Sequence, residues 1–194
     1  MPHTVAAVDL LRFAAATTEA HGVPPEDARL LADTLVTAEL WGHPSHGMLR
    51  LPWYLARIRS GATAATAAPR VVSDNGAVLV VDGQDGLGQV LADRATRLGI
   101  DRAREHGISA IAVRNSGHFG TAAYFTRKAA EAGCVAMLAT NASPAMAPWG
   151  GREKRPAWRR AQGLSDRAAA SSMPRRFSLS TARATRTYSR SLQR

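Results

Sequence analysis

The chain has 194 residues, 45% of them hydrophobic, enough for one domain with an ordinary core. Its net charge of +10 suggests a polyanionic partner until it is divided along the chain: residues 1–154 carry 15 basic and 14 acidic side chains, while residues 155–194 carry 10 arginines against the single acid Asp166. One cysteine excludes an intrachain disulfide, no apolar run is long enough to span a bilayer, and the N-terminus lacks a signal peptide's basic and apolar regions, so a soluble cytoplasmic protein is expected.

Val5, Leu10, Leu11, Phe13 and Ala14 recur at helical spacing and His21-Gly22 supplies a stop, which predicts a first helix. Pro24-Pro25-Glu26-Asp27 opens a second, with proline in the first turn and acids at the positive end of the dipole. Its apolar positions Leu30, Leu31, Leu35, Ala38 and Leu40 run to Trp41. A third helix is expected over residues 47–59, ended by Gly61, with Pro52 confined to its first turns. Residues 61–69 form a small-residue connector.

From residue 70 the pattern changes to alternating strands and helices. Val71-Val72 and residues 77–81 flank Asp74-Asn75-Gly76, a hairpin signal. A helix over 88–106, a buried strand over 108–113, a helix over 121–132 ended by Gly133 and a buried strand over 135–140 follow. Cys134 opens the last strand as a small buried hydrophobe. This is an α/β organisation, an N-terminal helical layer and then a mixed sheet with flanking helices. Residues 141–154 form a Pro/Gly loop, placed where ligands often sit in α/β folds.

Residues 155–194 differ. They contain no Ile, no Val, no Lys and only Leu164, Leu179 and Leu192, with no strand or helix periodicity able to cover the preceding sheet. The readings are a disordered basic arm, a nucleic-acid-binding tail, or an out-of-frame translation of GC-rich coding DNA. The last is expected, because the folded part needs more chain to complete its core.

Two polar constellations stand out. At about 100° per residue, His46, Arg50, Tyr54 and Arg57 share one sector of the third helix, and Leu51, Leu55 and Ile58 take the other as core. Two readings fit: a solvated face with Ser45 as the helix cap, or an anion site. In the second, Arg50 grips a carboxylate as a fork, Ser45 and Tyr54 donate hydrogen bonds, and His46 contacts the reacting oxygen. The other constellation is His118, just past the 108–113 strand, with Gly117 and Gly120 allowing close backbone approach. It fits either a general acid–base or a structural histidine held in a loop.

Other candidates read differently. His21 and His106 each precede a glycine at a helix end, where an imidazole satisfies carbonyls. His43, His46 and His118 lack the spacing and the neighbouring Cys or acid of a zinc site, so no metal is expected. Gly83, Gly86 and Gly88 resemble a phosphate-binding turn, but the glycine order is not G-x-G-x-x-G and no acid for a ribose follows the next strand. Tight helix–strand packing is their expected role.

Four motifs in order carry a family resemblance: Ser45-His46-Gly47-Met48-Leu49-Arg50-Leu51-Pro52-Trp53-Tyr54, Val81-Asp82-Gly83-Gln84-Asp85-Gly86-Leu87-Gly88-Gln89, Val113-Arg114-Asn115-Ser116-Gly117-His118-Phe119-Gly120, and residues 140–151. With them, residues 5–154 resemble the malate/L-lactate dehydrogenase family of the second, non-Rossmann type, which includes ureidoglycolate, sulfolactate and diketogulonate-type oxidoreductases. The resemblance implies a homodimeric NAD- or NADP-dependent oxidoreductase that exchanges hydride at C2 of a 2-hydroxy or 2-keto acid. It implies catalytic roles for His118 and His46, substrate contacts from Ser45, Arg50 and Tyr54 with Arg50 on the carboxylate, and a cofactor segment including Asn141, Pro148 and Gly150. Family members continue with a Leu-Gly-Thr-Asn-Pro motif and a long second half, whereas Lys154 is followed here by Arg155-Pro156-Ala157-Trp158. The expectation is a truncated or frameshifted dehydrogenase, inactive in this form and incomplete in fold. The alternative is a non-catalytic binding protein with a basic, nucleic-acid-binding tail.

Overall fold

The computed structural model describes residues 4–141 and the backbone of residues 160–165. Helices α1 (Ala7–Glu19) and α2 (Pro25–Leu40) pack as a hairpin, with Gly22 in the left-handed region at φ 85° closing the first. Their contact face is small and aliphatic: Ala14, Ala28, Leu31, Ala32 and Leu35 are all fully buried. Each of the two leucines contributes about 1.5–3 kcal/mol by leaving water. Buried Thr18 and Thr34 satisfy their hydroxyls on the carbonyls of Ala14 and Leu31. Phe13, counted with the apolar set of α1, instead stays 60% exposed.

The third helix departs from the sequence expectation. Two 3-10 turns, Pro44–His46 and Met48–Arg50, precede α3 (Leu51–Arg59). Gly47 breaks the helical path between them at φ −94°, ψ −144°. The Glu39 carboxylate accepts the Met48 N–H at 2.7 Å, and a Cβ on Gly47 would lie 2.4 Å from the same oxygen. Ser45 therefore does not cap the helix; Arg50 occupies that position with no side-chain cap bond. Leu51 is buried, and Leu55 and Ile58 pack partly buried against the same core.

Strands β1 (Arg70–Asn75) and β2 (Val78–Gly86) form the expected antiparallel hairpin, with the Asp74 carboxylate accepting the Gly76 N–H. Helix α4 (Gly88–His106) ends at left-handed Gly107 and leads to β3 (Ala110–Ser116), parallel to β2. The result is a three-stranded mixed sheet in the order β1-β2-β3. Helix α5 (Ala122–Glu131) follows and is tied to the other helices by two polar links. Lys128 and Arg97 both pair with buried Asp93 of α4, and the Tyr124 hydroxyl donates to Asp33 of α2.

Strands β3 and β4 (Ala136–Thr140) are not the buried strands expected. Their residues alternate between half-buried and exposed, because β3 is the sheet edge and only one face is covered. No strand hydrogen bonds join β3 to β4 among the described residues; a cleft of about 590 Å³ lies between them and α4 and α5, and half-buried Cys134 lines it instead of packing in a core. Strand β4 pairs antiparallel with β5 (Arg160–Ser165), an element not expected in the arginine-rich segment. Backbone pairing along an open edge needs no apolar alternation, so sequence periodicity does not announce it. The remaining expectations for residues 155–194 lie outside the described residues. Among the described residues, no helix is long and apolar enough to cross a membrane.

Candidate active site

The two constellations converge. The polar loop between α2 and α3 carries Ser45, His46 and Arg50, α3 carries Tyr54, and the loop after β3 carries His118. The Tyr54 hydroxyl lies 2.6 Å from His118 Nδ1, although 64 residues separate them. The imidazoles of His46 and His118 stack with centroids 5.8 Å apart and planes 28° apart. Trp53 meets the His118 ring edge-on at 5.9 Å, and Phe119 stacks against it at 6.4 Å.

Glycine packing sets the position of His118. A Cβ on Gly88 would stand 2.3 Å from the Gly117 carbonyl oxygen and 2.4 Å from that of His118, so the start of α4 sits directly on the backbone of the histidine loop. Gly117 also donates its N–H to the Gly86 carbonyl at 3.3 Å. These contacts bear out the packing role expected for the glycine turn. Just before the loop, Asp82 accepts hydrogen bonds from the Asn115 amide, the Gln84 N–H and the Arg114 guanidinium, which hold its carboxyl below the usual range. Asn115 itself is held at φ 51°, a strained backbone that this amide contact stabilises.

Charges and burial bias the site toward neutral histidine. His118 is exposed overall, but its Nδ1 edge is enclosed by Tyr54 and Gly120. Burial of that edge, helped by positive charge on His46 and Arg50, lowers its pKa from 6.5 to about 4; the open edge moderates the burial contribution. Tyr54 is 3% exposed, and burial pushes its phenol up to about 12 against the opposing pull of the Gln89 amide and Arg50. Arg50 spends one donor, Nε, on the Ser45 carbonyl at 2.7 Å, which folds its side chain back over the loop. The Ser45 hydroxyl lies 3.0 Å from His46 Nδ1.

Ser45, His46, Arg50, Tyr54 and His118 are therefore brought together around one solvent-facing histidine pair. Asn141 follows β4 and is exposed; it lines the 590 Å³ cleft together with Ser116, Gly117 and Phe119, next to His118. Pro148 and Gly150 lie outside the described residues. Arg57, placed in the same sector by the sequence, turns away to Thr63 and the Ala62 carbonyl and over the Trp53 ring. The His21 ring reaches the Thr17 carbonyl, a structural role as expected, whereas His106 lies by Glu105 and the Gly76 turn. No group of three or more metal-ligating side chains occurs among the described residues.

The sequence reading gave no role to Trp53 or Gln89. Gln89 is fully buried behind Tyr54, and both its amide atoms lack a hydrogen bond of acceptable geometry even though the amide acts on the Tyr54 phenol. Its signal was available: a polar residue inside the apolar run from Leu87 to Leu91.

Residues 5–157 match the malate/L-lactate dehydrogenase family. An L-sulfolactate dehydrogenase of Methanocaldococcus jannaschii is 41% identical over 133 residues, 69% of this chain and 39% of that protein. A (2R)-3-sulfolactate dehydrogenase (NADP(+)) of Chromohalobacter salexigens is 45% identical over 140 residues, 72% of this chain and 42% of that protein. The solved malate dehydrogenase of Pyrococcus horikoshii superimposes with a TM-score of 0.75 at 39% identity, covering 78% of this chain and 44% of that one. The chain thus spans about two fifths of the length of the curated relatives it matches.

Proposed function

The chain belongs to the malate/L-lactate dehydrogenase family, and on that premise we propose that it supplies the proton-handling, carboxylate-binding half of an NAD- or NADP-dependent 2-hydroxyacid/2-ketoacid oxidoreductase. The observation that carries this reading is the meeting of His118, Tyr54, His46 and Arg50 in one cluster from three separate segments. Arg50 keeps its two terminal guanidinium nitrogens for a carboxylate, and Ser45 stands beside it as a further donor. His118 and His46 face the substrate's C2 oxygen, where a proton must be supplied in reduction and removed in oxidation. Trp53 and Phe119 flank the imidazole and fix the plane of its ring.

A bound NAD or NADP supplies the hydride exchange at C2. The residues present fit such a group at one end of the cleft, where Ser116, Thr140 and Asn141 supply polar side chains beside the histidine loop, while the rest of the lining, including Ile100, Ile111, Val113 and Phe125, is mostly apolar. Asn141, with Pro148 and Gly150 beyond it, would hold the cofactor. The open β3 edge and uncovered cleft also support the reading that the 194 residues alone do not turn over substrate. Homodimer formation belongs to the same proposal, supported by exposed Val8, Phe13, Leu40 and Leu49 on the helical layer, as does a cytoplasmic location.

Titration of pyruvate into the 194-residue chain, followed by NMR of the Arg50 guanidinium and His118 ring, tests the substrate site. Saturable, millimolar shifts at both, absent in Arg50→Ala, are expected. No shift at either group, with the chain folded, contradicts the proposal.

A further inference from the structure

His118 Nδ1 faces two groups. The Gly120 backbone N–H points at it from 3.2 Å, and the Tyr54 hydroxyl lies 2.6 Å away. A backbone N–H can only donate, so Nδ1 must offer its lone pair. The Tyr54 contact then runs the same way, with the phenol donating. The neutral ring consequently carries its hydrogen on Nε2, directed away from both donors.

That arrangement raises a second question, about Tyr54. Having given its hydrogen to His118, the phenol oxygen has only lone pairs left, in a side chain that is 3% exposed. Gln89 stands behind it, fully buried, with an amide that lacks a partner and acts on the phenol. An unpaired buried amide costs on the order of 1–3 kcal/mol. Its N–H is the donor that the phenol oxygen lacks, and a donor there makes the phenol a better donor in turn.

We propose that Gln89 is a positioning residue: its amide donates to Tyr54, Tyr54 donates to His118 Nδ1, and this chain fixes neutral His118 as the tautomer protonated on Nε2. His118 then meets a substrate oxygen as a hydrogen-bond donor. Its Nε2 already carries hydrogen and its Nδ1 lone pair is engaged by two donors, so it polarises the carbonyl while His46, stacked on it, stands beside the same oxygen. This consequence for catalysis rests on the proposed 2-keto acid site; the tautomer does not, and it is read without substrate.

The test is long-range 1H–15N correlation of the histidine rings in the 194-residue chain at neutral pH. The expected spectrum shows His118 with Nε2 protonated and Nδ1 bare, in more than about tenfold excess over the other tautomer, since each donor on Nδ1 is worth about 1 kcal/mol. Gln89→Glu places an acceptor behind Tyr54 that draws the phenol hydrogen from His118, so the excess should fall to what the Gly120 N–H alone sustains. Gln89→Met, similar in volume, should narrow the excess, and Tyr54→Phe should narrow it further. A wild-type ring protonated on Nδ1 overturns the proposal. So does an unchanged His118 spectrum in folded Gln89→Glu. If Gln89→Met does not fold, the wild-type and Tyr54→Phe spectra still decide, because a tautomer ratio identical in both removes the phenol from the chain.

Discussion

A histidine whose Nδ1 receives a backbone N–H and a phenol O–H resists a second proton, because protonation would set a new N–H against that of Gly120. The consequence for stability has a definite sign. The folded chain holds the His118 pKa at about 4, below the ordinary 6.5, so between these values the unfolded chain binds more protons. Stability contributed by neutral His118 is complete above pH 6.5 and is lost as pH falls toward 4. Urea midpoints of wild type and His118→Gln, compared from pH 7 to pH 4, should therefore converge as the pH falls; a gap that stays constant contradicts the assignment. Glu39 acts at the same scale. Glu39→Ala frees the Met48 N–H and should cost about 1–2 kcal/mol, read from the same midpoints, and should broaden the His46 resonances. Most of the site was legible in the sequence at this level, since Ser45, His46, Arg50, Tyr54 and His118 all arrive at one place. Gln89 was legible only as a polar residue inside the apolar run from Leu87 to Leu91; its place behind Tyr54 depends on what surrounds it in space.

At the level of elements, glycine spacing decides how closely α4 can approach the histidine loop. Gly88→Ala would put a methyl group 2.3 Å and 2.4 Å from two backbone carbonyl oxygens that cannot rotate away. Overpacking of this kind costs about 1–3 kcal/mol and should displace His118. Gly99, in the same helix, is a control. Its added Cβ would meet only Ile111 and Ser109 side-chain atoms at 3.4 Å and 3.5 Å, so Gly99→Ala should be neutral or stabilising by up to about 1 kcal/mol. Equal destabilisation by both, in thermal melts, would refute this view of the turn. The periodic elements α1, α2, α4, α5 and the β1–β2 hairpin were readable from apolar spacing, caps and Asn75-Gly76. The start of α3 was not: a polar sector drawn at helical pitch assumes a continuous helix, and Gly47 with the Glu39 contact breaks it into 3-10 turns. Burial of β3 and β4 was overestimated for a related reason. An apolar strand is written for its final neighbours, and among the described residues β3 and β4 each have one half-exposed face and no hydrogen bonds to one another.

For the whole molecule, the part that matches the family and the part that does not divide near residue 157. The chain superimposes on 44% of the malate dehydrogenase of Pyrococcus horikoshii, and the cluster of His118, Tyr54, His46 and Arg50 lies within residues 5–157, the span of the family match. Beyond residue 157 the family match ends, and the composition turns to arginine, serine and alanine. The residues proposed for proton handling and carboxylate binding all fall within the matched portion, and Asn141 lines the cleft at its end. The 194-residue chain alone is accordingly expected to show no NADH or NADPH oxidation with pyruvate or oxaloacetate. The most direct measurement joins residues 1–154 to the remaining segment of the Pyrococcus horikoshii enzyme and follows NADH and NADPH oxidation with those keto acids. Turnover is expected, reduced about 10²–10⁴-fold in kcat/KM by His118→Gln, with Arg50→Gln acting chiefly on KM. A folded chimera that turns over keto acid equally well with and without His118 and Arg50 would contradict it.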